Sequence, residues 1–346
     1  MTDLIVHIGL PKAASTTLQR NLFSGTAGYL GKSFGANNDL GWQFRNITPT
    51  EDLSFWTSEA RSWVARAIEC KKHLWPETQR LIVSHEDLSQ RQTNTYRQKR
   101  PIGSSQDVSG QQGDLQRHFT TTLLKGFKDY IWKSGNVKAL IVLRNQPEWL
   151  ASLYVTLSNT FKSASQKDFE AQVQKLIQHG EDYIDWSRWV DDLQQALGQE
   201  NVCTLLMEDM KQEKFWKELA TFMELDDVDP FQFAKLNATK YNVRRFKDNS
   251  WKISPLKKRK PLAARLIRKY RDYKRLPNTR LVLNDLTRRM FSSFTPSIAA
   301  INGANKRYTE IEMTASLRES ILEYCRPFND RLAKQLNRND LREIGY

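Results

Sequence analysis

Leu4–Phe23, LIVHIGLPKAASTTLQRNLF, passes from a short apolar run through Gly9-Leu10-Pro11-Lys12 into small and hydroxylated residues. The run Leu4 to Ile8 reads as a central strand that Gly9 and Pro11 end, and Ser15 to Phe23 reads as the helix that follows. A strand turning through glycine into a helix leaves backbone N–H groups unpaired beyond the strand end, and the helix start favours negative charge. Lys12 adds a cation there, and Ser15, Thr16 and Thr17 add hydroxyl donors on side chains small enough to leave room for a phosphate. A plainer reading has Pro11 starting a turn, Ser15 capping the helix and Lys12 solvated. The nucleotide triphosphatase loop GxxxxGK[ST] is absent, since no glycine directly precedes Lys12, which argues against ATP or GTP hydrolysis.

Three other short apolar runs share this character: Arg80–Ser84 (RLIVS), Val137–Leu143 (VKALIVL) and Val202–Met207 (VCTLLM). The intervals between them are long enough for crossover helices. A parallel sheet covered by helices is the economical arrangement, giving a three-layer α/β fold with a helical C-terminal region in one domain, 1–346. Helical spacing is expected over Leu115–Trp132, over Phe169–Leu197 as one long stretch with Trp186 and Trp189 in the core, after Asp209 through Phe215, Leu219 and Phe222, and over Glu310–Leu336. Tyr29–Phe55 and Gln90–Gly113 are low in apolar residues. The second, 90–113, reads as a surface loop that is either idle or a lid.

Hydrophobic residues make up 39% of the chain and charged residues 27%, the composition of an ordered globular protein. Cys70, Cys203 and Cys325 lie far apart, so neither a disulfide scaffold nor a metal site is expected, and a reducing compartment fits. The first residues lack a leader pattern, and no run approaches the roughly 18 apolar residues of a membrane span, so a soluble, cytoplasmic protein is expected. The formal net charge of +14 favours anionic partners. Much of the excess lies in 252–280, a basic amphipathic insertion. It reads either as a solvated helix packed through Leu262, Leu266 and Ile267, or as a surface for anionic lipid at the inner membrane face or for a polyanion. No motif for specific nucleic-acid recognition accompanies it.

A second candidate anion site is IVLRNQPEWLASLY, a strand ending in Arg144, then a polar turn, then a helix with Ser152 eight residues beyond the arginine. An arginine fork offers paired donors to a phosphate. With this motif in place, GLPKAASTTLQ resembles the 5'-phosphosulfate loop of the sulfotransferases that use 3'-phosphoadenosine 5'-phosphosulfate (PAPS), in the style of bacterial members. VCTLLMEDM, the helix ending FMEL and PFNDRLAKQL resemble that family loosely. The resemblance implies a P-loop-like sulfotransferase fold, PAPS as sulfuryl donor and adenosine 3',5'-bisphosphate as product. It also implies that Arg144 and Ser152 hold the 3'-phosphate. Lys12, the backbone of Ala13, Ala14, Ser15 and Thr16, and the hydroxyls of Ser15, Thr16 and Thr17 would hold the 5' end. The loop departs from the family where Ala13 and Ala14 replace a hydroxylated residue and a glycine, and Ser15 replaces a threonine. Ala14 is expected to keep the loop on the φ < 0 side or to shift its approach to the phosphate.

Sulfuryl transfer requires an in-line nucleophile and neutralisation of charge on the leaving oxygen, and no metal is required by that logic. The implied acceptor is a hydroxyl or amine of a carbohydrate, glycolipid or small molecule, and it needs a base. Glu86 is the first candidate and His85 the second, both at the end of RLIVS, and capping of the next helix by Ser84 and Glu86 is the structural alternative. Glu208 and Asp209 are expected to be structural, and His7 packed within its strand. Trp42, Phe44 and Trp56 are read as shaping an acceptor cleft, or more plainly as core. A nucleotide or nucleoside kinase and a non-catalytic nucleotide- or polyanion-binding module on the same fold stand as alternatives.

Overall fold

The computed structural model describes residues 1–31, 40–41, 43–44, 47, 53–89, 112–158, 164–180, 184–225, 245–247, 249–253 and 310–346. Four strands form its centre: β1 (Asp3–His7), β2 (Arg80–Ser84), β3 (Val137–Leu143) and β4 (Val202–Leu206). Neighbours are all parallel, in the order β2-β1-β3-β4. The central strands are covered on both faces, and Leu4, Ile5, Val6 and Ala139 through Leu143 are fully buried. A strand with no solvated face has no place for alternating polar residues, which is why LIV and ALIVL run without interruption.

Helices flank the sheet: α1 (Ser15–Asn21), α2 (Leu53–Leu74), α3 (Gln112–Gly126), α4 (Gln146–Leu157), α5 (Gln166–Gln178), α6 (Trp186–Leu197), α7 (Glu213–Met223) and α8 (Ala315–Gln335). The result is the expected three-layer α/β architecture with a helical C-terminal region. α6 packs on β3 and β4, and α3 and α8 pack in turn on α6. Its inward stripe of Trp186, Trp189, Val190, Leu193 and Leu197 follows helical spacing, so both tryptophans are core. α4 is buried nearly all round and opens with Asn145, whose side chain accepts from the Glu148 amide at 3.0 Å.

Three expectations need correction. Phe169–Leu197 is two helices, because Gly180 takes φ 64° after α5 and Asp185 begins a new helix by accepting from the Arg188 amide. Glu310–Glu312 is strand β7, and the last helix begins only at Ala315. Phe44 is fully buried, with its ring 4.9 Å from Trp63 and 5.1 Å from Phe127, so it belongs to the core and lines no acceptor cleft. Trp42 and the side chain of Trp56 lie outside the described residues.

β7 joins β5 (Arg245–Lys247) and β6 (Ser250–Lys252) in a small antiparallel sheet in which Trp251 and Ile311 are buried opposite each other. Strands of three residues are too short to show a period of two, so nothing in the sequence announced them. Most of the basic stretch 252–280 lies outside the described residues; the described residues on either side of 254–309 include the strand pair Lys252 and Glu310. Of the stretch 90–113, only its last residues are described, as the start of α3. Among the described residues, no helix is long and apolar enough to cross a membrane.

Candidate active site

The strand order places a topological switch at the β1/β3 boundary: the chain steps from β1 to β2 on one side, then crosses to β3 and β4 on the other. Loops leaving the carboxyl ends of β1 and β3 therefore border a crevice, the usual ligand position in open parallel sheets. The loop after β1 is tightly shaped. Gly9 (φ 39°), Lys12 (φ 68°) and Ala14 (φ 62°, ψ 6°) all take positive φ. A Cβ at Gly9 would stand 2.6 Å from Ser15 Oγ and 3.1 Å from the His7 ring, so only glycine fits. The expectation that Ala14 holds the loop to negative φ is overturned, because tertiary contacts force the glycine-like conformation on an alanine.

Four successive carbonyls in this loop are drawn into the protein by side-chain donors. Ser89 Oγ donates to Gly9 O, Ser15 Oγ to Leu10 O at 3.2 Å, Trp149 Nε1 to Pro11 O at 2.8 Å, and Arg144 Nη1 to Lys12 O at 3.0 Å. Carbonyl and amide point opposite ways in a trans peptide, so holding these carbonyls inward turns the Leu10 and Lys12 amides outward, whereas Pro11 has no N–H and the Ala13 amide donates to Leu10 O at 3.2 Å. Alternating left-handed residues are also the backbone of anion-binding nests. Among the described residues, no backbone carbonyl accepts from the amides of Ala14, Ser15 or Thr16. Thr16 is exposed, Lys12 and Thr17 are half-buried, and the buried Ser15 hydroxyl is turned inward to Leu10.

Arg144, at the end of β3, is 6% exposed. Besides Lys12 O, its guanidinium reaches Glu148 Oε2 at 3.3 Å, and its carbonyl accepts from Trp186 Nε1 at 2.8 Å. Glu148 Oε1 in turn accepts from Arg318 Nη2 at 2.8 Å. Ser152 is half-buried on α4, one turn beyond Glu148. The end of β4 is tied to the same edge, since Asn145 donates through its amide and side chain to Glu208 Oε1 at 3.0 and 2.9 Å, and Tyr346 OH donates to Glu208 Oε2 at 3.0 Å. Burial raises the Glu208 pKa against the lowering effect of these hydrogen bonds, and burial also drives the Tyr346 phenol well up. Asp209 pairs with Arg338. Both acids are thus tied into contacts of the fold.

At the end of β2, Ser84 Oγ lies 2.7 Å from His7 Nδ1 and accepts from Gln19 Nε2 at 3.0 Å. His7 is fully buried, as its place in the strand implied, and burial pushes its pKa down to about 3. His85 is also fully buried, with its amide donating to His7 O at 3.1 Å. Glu86 opens the short turn Glu86–Ser89, whose last residue grips Gly9, and the Glu86 side chain lies outside the described residues.

The structure therefore gathers Lys12 through Thr17 and Arg144 at one crevice, with the backbone of Glu86 on the adjoining turn. Sequence reading missed Glu148, Trp149, Ser89 and Arg318. Glu148 carried a signal, four residues from Arg144, whereas Arg318 stands 170 residues from its partner Glu148 and carried none. No protein-family model and no curated protein matches the chain. Among solved structures, a sulfotransferase domain from the Synechococcus PCC 7002 olefin synthase is similar at 14% identity with a TM-score of 0.32, covering 66% of this chain and 74% of that one.

Proposed function

We propose that this chain transfers a sulfuryl group from PAPS to a hydroxyl or amine of a carbohydrate, glycolipid or small-molecule acceptor. The observation that carries this reading is the β1 loop, whose four carbonyls are held inward while Arg144 reaches it from β3. PAPS supplies the activated sulfuryl group and adenosine 3',5'-bisphosphate as leaving group. The amides of Ala14 through Thr16, with the Thr16 and Thr17 hydroxyls, bind the 5' end, and Ser15 contributes through its amide while its hydroxyl braces the loop; the Ala13 amide, proposed from sequence for the same role, donates to Leu10 O instead. Lys12 neutralises charge growing on the leaving oxygen, and Arg144 with Ser152 takes the 3'-phosphate. The base role goes to Glu86, since His85 is enclosed behind β1. As the acceptor oxygen or nitrogen bonds to sulfur and the sulfur–phosphate oxygen bond breaks, the acceptor proton passes to that carboxylate.

Calorimetric titration of adenosine 3',5'-bisphosphate tests the reading. Micromolar binding that Arg144→Ala abolishes and ATP does not match is the expected result. No binding to the unaltered protein would leave Arg144 as a loop brace and bring forward a polyanion-binding role. Glu86→Gln is expected to lower kcat by about 10²–10⁴ while leaving the bisphosphate affinity unchanged.

A further inference from the structure

Glu148 places a carboxylate where the proposed site needs positive charge. It lies on α4 between Arg144 and Ser152, the two residues proposed to hold a 3'-phosphate. An uncompensated acid there would repel a phosphate and compete for Arg144. The compensation comes from α8: Arg318 Nη2 stands 2.8 Å from Glu148 Oε1, whereas the Arg144 contact to Oε2 is 3.3 Å. The Arg144 and Glu148 side chains are 7% and 10% exposed, so solvent screens them little. Arg318 is itself held by Asn249 Oδ1 at 3.1 Å, in the turn between β5 and β6. Glu208, a second carboxylate near Arg144, is engaged by Asn145 and Tyr346.

Resting on the nucleotide reading above, we propose that Arg318 is a positioning residue that sets the preference for a 3'-phosphorylated nucleotide. It neutralises Glu148 and holds it back, so that Arg144 can exchange its longer carboxylate contact for the phosphate. Arg318 does this through Glu148 and needs no contact with the nucleotide. Its removal should therefore harm binding only while the Glu148 charge remains, which separates this role from direct phosphate ligation and from general bracing of the fold.

The test titrates adenosine 3',5'-bisphosphate and adenosine 5'-monophosphate into the unaltered protein, Arg318→Met, Glu148→Gln and the double variant, and reads the ratio of the two Kd values. Arg318→Met is expected to lower the preference for the bisphosphate by about tenfold, in the range of coupled charges, and the double variant to restore it. An unchanged ratio in Arg318→Met, or a loss that Glu148→Gln does not repair, would overturn the proposal. Should Arg318→Met fail to unfold cooperatively, Glu148→Gln alone decides: the bisphosphate should bind more tightly with the monophosphate unchanged, and no change would reject the role. An unaltered protein that binds neither nucleotide overturns the nucleotide reading and this inference together. One that prefers the bisphosphate regardless of residue 318 overturns this inference alone.

Discussion

Ala14 carries a backbone conformation that costs an L-residue about 1–2 kcal/mol, yet it starts the helix that frames the site. Ala14→Gly removes that cost but adds freedom to the unfolded chain worth about 0.4–1 kcal/mol, so a net gain of up to about 1.6 kcal/mol is expected. Ala14→Val places a β-branched residue in the left-handed region and should cost about 2 kcal/mol or more, which chemical denaturation can read directly. His7 makes a different prediction. Its pKa is 6.5 when unperturbed and about 3 when folded, so between those values the unfolded chain binds more protons. Stability is then lost as pH falls below 6.5, by up to about 1.4 kcal/mol per unit. His7→Gln should flatten that slope in urea unfolding, and an identical slope would show that His7 does not govern it. The sequence disclosed Lys12 through Thr17 because the loop is contiguous and its chemistry local. The sign of φ at Ala14 was not legible because the loop before it is held by Ser89, Trp149 and Arg144, on the carbonyls of Gly9, Pro11 and Lys12, and these residues lie far along the chain.

At the level of elements, α4 links the two halves of the site. Its Trp149 ring packs edge-on to Trp186 at 5.1 Å while its N–H holds Pro11 O. Trp149→Phe keeps an aromatic ring but removes the donor, so it should cost about 1–2 kcal/mol and weaken bisphosphate binding by loosening the β1 loop. Unchanged affinity would mean that the loop keeps its shape without this bond. The sheet strands were legible because burial on both faces forbids polar interruptions, and β2 and β3 have the bounds their apolar runs indicate. The break at Gly180 was not, because apolar spacing resumes in α6 nearly in phase with α5. A single glycine in a helical pattern does not by itself say whether the chain bends there.

The whole molecule depends on contacts remote in sequence: Arg318 on Glu148 and Tyr346 on Glu208 join α8 and the residues after it to the middle of the chain, where Trp186 also holds the Arg144 carbonyl. These were beyond sequence reading, which sees spacing along the chain and not across it. The pairing of Lys252 with Glu310 predicts that a short glycine-containing turn can replace 254–309 with cooperative unfolding retained. Sedimentation with anionic vesicles then tests the basic stretch, since attachment that persists after excision would assign the membrane role elsewhere. The Arg318–Glu148 pair also fixes when the crevice is complete. At about 5–20 residues per second on the ribosome, Arg318 follows Glu148, 170 residues earlier, by roughly 9–34 s. Throughout that interval the nascent chain carries the β1 loop, Arg144 and Glu148 without the arginine that the folded protein sets against Glu148. On the reading proposed above, capture of a doubly phosphorylated nucleotide would wait for Arg318, and ligand binding would report that α8 has docked.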